Sequence, residues 1–476
     1  MSGRGFAQWI VLAATCSSCA SVPKESGFGD VQADVRERTG LEIQWNQLTP
    51  ADEEAGSKLR ELLSDELTAD RAVQIALLNN RALQAIYEEL GIAQADLVAA
   101  GLLKNPVFNA ELRFPEGGGQ VDLDLSVAQE FLGIFMLPLR RRIASARFEE
   151  AKLRVTGEVL DLAGEVRAAF FVHEGAQQLH ALRTTAFEAT GASLELAQRL
   201  HEAGNLRDLD LANERALHEQ SRLDVAAAEL AVVEARERLN TLLGLWGDAT
   251  RWRSTGKLPD VPAAPLEIEG LEGRAVERSL ELGLARAEID RVAQELGLAR
   301  STRLAGELEL GVSAERDDGT WSIGPSAALP IPVFDQGQPA IARASAKLRQ
   351  LQERYAASAI AIRSEVRAVA SRISLLQAQE RYYRAVLLPL RQQILDDTQK
   401  EYNAMQIGAF QLLQAKQQEI EAGSKYVETL RDYWIASNAL GQLASGRRSS
   451  TAPPRSESSF DRSERRDVGH ATGAEQ

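Results

Sequence analysis

The apolar residues between Ala340 and Ala404 keep one spacing over an unusual length. Ile341, Ala344, Leu348, Leu351, Tyr355, Ile362, Val366, Val369, Ile373, Leu376, Tyr383, Leu387, Leu390 and Ile394 follow one another at steps of three, four or seven residues. The mean step is near 3.5, the coiled-coil period. A helix of roughly 65 residues is about 100 Å long at 1.5 Å per residue, and a compact domain has no room for it. Alanines between these positions let neighbouring helices approach closely. Pro389 interrupts the pattern and should bend the helix or loosen a turn. A second long helix, from about Leu139 to Ala203, is less regular. A long bundle accommodates both.

Each long helix ends in a helix-breaking stretch that is followed at once by another helix. The stretches are "RLHEAGNLRDLDLANERA" near Gly204 and "YNAMQIGAFQLLQAKQQE" near Gly408. The order around them also repeats: helix, two short alternating runs, long helix, break, helix. Ala72-Val73 matches Ala275-Val276 at a shift of 203, and Ile143-Ala144 matches Ile341-Ala342 at 198. Leu206, Leu209 and Leu211 match Ile407, Phe410 and Leu412 at 201. The chain reads as a duplication, with a first repeat at 67–245, a connector at 246–269 and a second repeat at 270–445. Residues 22–65 look polar and irregular. The helix pattern that opens after Thr68 runs to about Ala100, and its counterpart runs from about Gly270 to Arg303. The serine-, proline- and charge-rich tail, 446–476, has too few apolar residues to offset its ordering entropy, and is expected to be disordered.

The short runs alternate in polarity. Phe108, Ala110, Leu112 and Phe114 oppose Asn109, Glu111 and Arg113; Val121, Leu123, Leu125 and Val127 oppose Asp122, Asp124 and Ser126. In the second repeat Leu308, Leu310, Val312 and Ala314 oppose Glu307, Glu309 and Ser313, and Trp321, Ile323, Ala327 and Leu329 oppose Ser322, Gly324 and Ser326. Such alternation usually marks a sheet packed on its own helices. Four strands, however, leave two open edges, and their length suits tilted bilayer-spanning strands. Open edges are forbidden in lipid, because unpaired backbone groups there cost several kcal/mol each. Three chains would supply twelve strands and close a barrel. The fold expected is therefore mostly α with a small β part: a duplicated coiled-coil tunnel, with four strands per chain completing a homotrimeric transmembrane barrel. Glu111, Asp122, Asp124, Glu307 and Glu309 would face its lumen, with Arg113 in partial opposition, making a cation-preferring pore.

The N-terminus reads as a secretory signal, residues 1–18, with Arg4 ahead of an apolar stretch from Phe6 to Thr15. It also resembles a bacterial lipoprotein signal, in which a cysteine becomes the lipidated N-terminus of the anchored segment 19–66. Cys19 is preferred over Cys16, and ordinary cleavage is the alternative. Either way at most one cysteine survives in the mature chain. No later segment reaches the roughly 18 apolar residues of a membrane helix. A net charge of −14 argues against a nucleic-acid partner.

These features lead to a family. "LPIPVFDQGQPAIARASAKL", with its Pro-x-Phe-Asp-x-Gly core, resembles the strand-to-helix junction of TolC-like outer-membrane efflux factors. "QEFLGIFMLPLRRRIASARF" looks like its diverged partner in the first repeat, and the two breaks resemble the family's helix–turn–helix tips. The resemblance covers about residues 67–445. It implies a lipid-anchored protein of the bacterial outer membrane whose long helices cross the periplasm, reverse and return. It also implies an inner-membrane pump as energy source and a periplasmic adaptor docking on the tips. By motif the docking positions are Ala203, Gly204, Asn205 and Leu206, and Gln406, Ile407, Gly408 and Ala409. Gly204 and Gly408 would relax the backbone at the reversals. Met405 stands where the first repeat has Gly204, so the second turn is expected a few residues later. Asp208 and Asp210 would either ring the entrance or serve as helix N-terminal acids.

No enzymatic or cofactor motif is legible. His173, His180, His201 and His218 lack the i, i+4 spacing of paired ligands and read as solvated or packed. There is no phosphate loop and no nucleophile elbow. The expected function is a passive trimeric duct of a tripartite efflux system, carrying small molecules or metal ions, with no cofactor and no enzymatic activity. A type I protein-secretion duct and a periplasmic coiled-coil adaptor or scaffold are the alternatives.

Overall fold

The computed structural model describes residues 26–47, 50–114, 122–130, 132–264, 267–302, 309–317, 320–328, 334 and 336–448. The lipidation candidates Cys16 and Cys19, the signal, Glu307 and the tail beyond Arg448 lie outside the described residues. The first part contains α1 (Phe28–Thr39), α2 (Pro50–Ser64), α3 (Ala69–Asn79), α4 (Arg81–Ala100), β1 (Val107–Arg113), β2 (Asp122–Glu130), α5 (Leu132–Glu202) and α6 (Asp208–Leu243). After a short 3-10 turn follow α7 (Leu271–Arg278), α8 (Leu280–Thr302), β3 (Glu309–Asp317) and β4 (Thr320–Ala328). The chain ends in α9 (Gln338–Tyr382), a π-turn (Tyr383–Leu387), α10 (Leu388–Asn403) and α11 (Ala409–Ala444).

Neighbouring helices pack side by side into a wall. On the strand side the order is α4, α5, α8, α9; beyond it, α6, α5, α11, then α9 and α10. The long helices α5 and α9–α10 thus run through both levels. Where the levels meet, α3 and α7 pack onto the wall and a core gathers around Val159, Val166, Phe170, Leu239, Leu243, Ile362, Val366, Ile373 and Tyr433. The burial of each such side chain contributes about 1.5–3 kcal/mol. Between its 3-10 turn and Ala264 the connector straps across this core. Glu174 on α5 accepts hydrogen bonds from Thr255 Oγ1 at 2.7 Å and Lys257 N at 3.0 Å. Further along, Trp434 Nε1 donates to the Pro259 carbonyl and Gln377 Nε2 to the Pro262 carbonyl.

Several expectations are corrected. Within the stretch at 22–65, expected to be irregular, α1 and α2 are helices, and α1 buries Val31 and Val35, an i, i+4 pair too short to register as periodicity. The pattern after Thr68 is two helices broken at Asn80, whose side chain accepts from Leu83 N at 2.9 Å and donates to the Leu242 carbonyl at 2.9 Å. Its counterpart breaks at Ser279, whose hydroxyl accepts from Leu282 N at 3.2 Å. The first long helix begins at Leu132, and Pro138 lies inside it rather than before it. The π-turn sits just ahead of Pro389, the looser winding expected where a proline ring clashes with the preceding turn. The packed chain continues past residue 446: Arg447 pairs with Asp161, and Arg448 with Glu365 and Glu281.

The strands form one antiparallel sheet in the order β1-β2-β3-β4, so β1 and β4 are its edges. Among the described residues no helix is long and apolar enough to cross a membrane.

Candidate functional site

Two regions bear on function: the helix reversals and the sheet. At the first reversal α5 ends in a Schellman motif. Asn205 N donates to the Leu200 carbonyl and Gly204 N to the His201 carbonyl, both at 2.8 Å. Gly204 has φ of 75°. At the second reversal Gln406 N donates to the Glu401 carbonyl at 3.0 Å and Met405 N to the Tyr402 carbonyl at 2.9 Å. The bonds match residue for residue at a shift of 201. The second turn is therefore not displaced. Met405 itself adopts φ of 58°, while Gly408 is extended at φ −85° and ψ 167° and precedes α11. The residue that reverses the second helix is a methionine, and Gly408 has no strained role.

The positions expected to dock an adaptor fall on these turns and on the first residue of the returning helix. Ala203, Gly204, Asn205, Gln406 and Gly408 are exposed, and Leu206 and Ile407 are half-buried. Leu209 and Phe410, again 201 apart, and Met405, 91 % exposed, add apolar surface. The two tip acids differ. Asp208 is open to solvent, whereas Asp210 is buried and bonded by Arg207 through Nε at 2.9 Å and Nη2 at 3.2 Å. That pair holds the guanidinium pKa above its ordinary value. Behind the tips, Lys416 Nζ donates to Ser193 Oγ at 2.9 Å, and burial lowers its pKa. Burial raises Tyr402, with the carboxylates of Glu214 and Asp210 adding to the shift.

The sheet register extends the alternation across strands. Phe108, Val127, Val312 and Pro325 form one row; Ala110, Leu125, Ala314 and Ile323 form the next. This face is apolar from edge to edge, and Phe108 and Ile323 are 64 % and 73 % exposed. On the other face Glu111, Asp124, Glu315 and Ser322 share a row, so three carboxylate residues stand side by side. Arg113 Nε bonds Glu111 at 3.0 Å. Asp122 pairs in register with Arg113, and Glu309 with Glu130. Glu315 was missed from sequence, although the alternation continues through it. Arg316 ends the apolar face, in register with Trp321.

His173 is fully buried beside Trp252, and burial, seconded by Arg236, pulls its imidazole down to about 4. His218 stacks on Phe187. An open groove of about 720 Å³ between α5, α6 and α11 is floored by Ala168, Val172, Gly175 and Ala235. It holds Glu and Arg side chains but no nucleophile beside a base.

Comparisons with known proteins point the same way. The sequence profile of the outer membrane efflux protein family matches residues 72–245. The cobalt-zinc-cadmium resistance protein CzcC of Cupriavidus metallidurans is 24 % identical over 386 residues, covering 79 % of this chain and 90 % of that relative. The Campylobacter jejuni CmeC outer membrane channel superposes with a TM-score of 0.68 at 15 % identity, covering 81 % of this chain and 87 % of that one. The open-state Neisseria gonorrhoeae MtrE outer membrane channel gives 0.65 at 18 % identity, covering 81 % and 91 %. The paired helix reversals and the four-stranded sheet thus accompany a match of residues 72–245 to the outer membrane efflux protein family and a fold similar to that of solved outer membrane channels.

Proposed function

We propose that three copies of this chain form an outer-membrane duct of a tripartite efflux system, anchored by a lipid on Cys19, that exports divalent metal ions. The observation that carries it is the sheet: one face apolar across all four strands, exposed, with the outer edges of β1 and β4 meeting no further strand among the described residues. In lipid such a sheet must close on itself, and β4 of one copy meeting β1 of the next closes it at twelve strands. The helical wall supports the same closure. Its edge helices carry exposed apolar residues at heptad spacing: Leu223 and Leu230, 63 % and 57 % exposed, on α6, and Leu375 and Tyr382, 59 % and 58 % exposed, on α9. The α6 edge of one copy against the α9–α10 edge of the next buries both rows. The two repeats, 67–245 and 270–445, then supply pseudo-equivalent staves.

The mechanism is passive. The row Glu111, Asp124 and Glu315, tripled, would line a water-filled lumen with carboxylates and favour cations. The tips, with Leu209, Met405 and Phe410 exposed, would receive the adaptor, and an inner-membrane pump would supply the energy. The resistance named for the Cupriavidus relative is what favours metal ions over drugs or polypeptides as cargo. Deletion of the gene is expected to sensitise cells to zinc, cobalt and cadmium, and complementation to restore tolerance. Unchanged metal tolerance with a changed drug or secretion phenotype would overturn the cargo assignment.

A further inference from the structure

We propose that the first reversal holds a divalent transition cation between His201 and Asp208. Nδ1 of His201 lies 2.9 Å from the Leu206 carbonyl oxygen. A carbonyl only accepts, so Nδ1 carries the proton and the lone pair of the neutral ring sits on Nε2. Nε2 is 3.5 Å from Oδ1 of Asp208. That is longer than a charge-assisted hydrogen bond of about 2.7–2.9 Å. It matches the edge of a tetrahedral zinc site, where arms of about 2.0–2.2 Å put N and O about 3.4 Å apart. A ligating histidine that donates its other N–H to a backbone carbonyl is the usual supporting arrangement, and the turn builds it from its own main chain.

The surroundings favour a cation. Arg207, the adjacent positive group, is engaged by both carboxylate oxygens of Asp210. The imidazole hangs from the carboxyl end of α5, the negative end of its dipole, which offsets the positive end of α6 at Asp208. The side chains of His201 and Asp208 are 35 % and 97 % exposed, so water completes the coordination and the ion exchanges freely. One imidazole and one carboxylate suit zinc or cobalt rather than calcium or magnesium, which need more oxygen ligands. The second reversal has the same backbone bonds but carries Tyr402 and Ala409 at the equivalent positions, so the ligand pair belongs to one tip only. As a foothold for cargo at the tunnel entrance the site rests on the metal-efflux reading above; as a binding site it stands on this geometry.

The test is calorimetric titration of zinc chloride into the full-length detergent-purified protein, without a polyhistidine tag, at pH 7.5. One saturable site per chain is expected, weakened about tenfold or more in His201→Gln and in Asp208→Asn, with unchanged elution of both variants. No saturable site, or equal binding in wild type and both variants, overturns the proposal. A pure His201–Asp208 ion pair would give that negative result. The site is separable from the cargo reading. Zinc binding without metal sensitivity in the deletion strain sinks the cargo and keeps the site, and the reverse result sinks the site alone.

Discussion

Met405 holds φ of 58° with its side chain 91 % exposed, a conformation that costs a residue with a Cβ about 1–2 kcal/mol. Met405→Gly is expected to raise stability by about 1 kcal/mol, read as a higher melting temperature. Gly204→Ala should lower it by a similar amount, because nothing lies within 4 Å of the added Cβ and only the backbone objects. The position of both reversals was legible in the sequence. The residue that bends the second was not, since methionine carries no turn signal. His201 was passed over for a related reason: its partner lies across the turn, outside any helical spacing. His173 makes a pH prediction. Its ordinary pKa of 6.5 falls to about 4 in the fold, chiefly through burial. Between those values the unfolded chain holds a proton that the folded chain does not. Stability therefore declines as pH drops through that window, by about 3 kcal/mol in all. The melting temperature of wild type should fall more between pH 7 and pH 4.5 than that of His173→Leu.

At the scale of elements, the corners where helices end against helix breaks carry the pseudo-symmetry. α6 ends at Gly244, φ 67°, and α11 is followed by Gly446, φ 93°. A Cβ on Gly244 would lie 2.7 Å from the Asn79 carbonyl oxygen, and one on Gly446 only 1.9 Å from that of Arg278. Gly446→Ala should thus destabilise by about 2 kcal/mol or more, seen as a lower melting temperature. The sequence displayed the long helices because heptads repeat many times. It hid the breaks at Asn80 and Ser279, because one polar residue that caps a new helix leaves the apolar period on either side intact. It also hid the ordered end at Arg447 and Arg448, whose partners Asp161 and Glu365 are remote in sequence.

At the scale of the molecule, alternation in four short runs announced a sheet with unlike faces, and the register joins those runs into two continuous surfaces. The chain alone does not close either the sheet or the helical wall. Closure by further copies, as proposed above, would make a pore whose ion preference follows from one row. Replacing Glu111, Asp124 and Glu315 together by their amides should reduce the cation preference in planar bilayers, read as a shift in reversal potential towards zero. The most direct measurement is the protein mass per particle, by detergent-corrected light scattering, of material extracted in mild detergent. Three chains per particle is the result this account requires. A folded, monodisperse particle of one chain would contradict it.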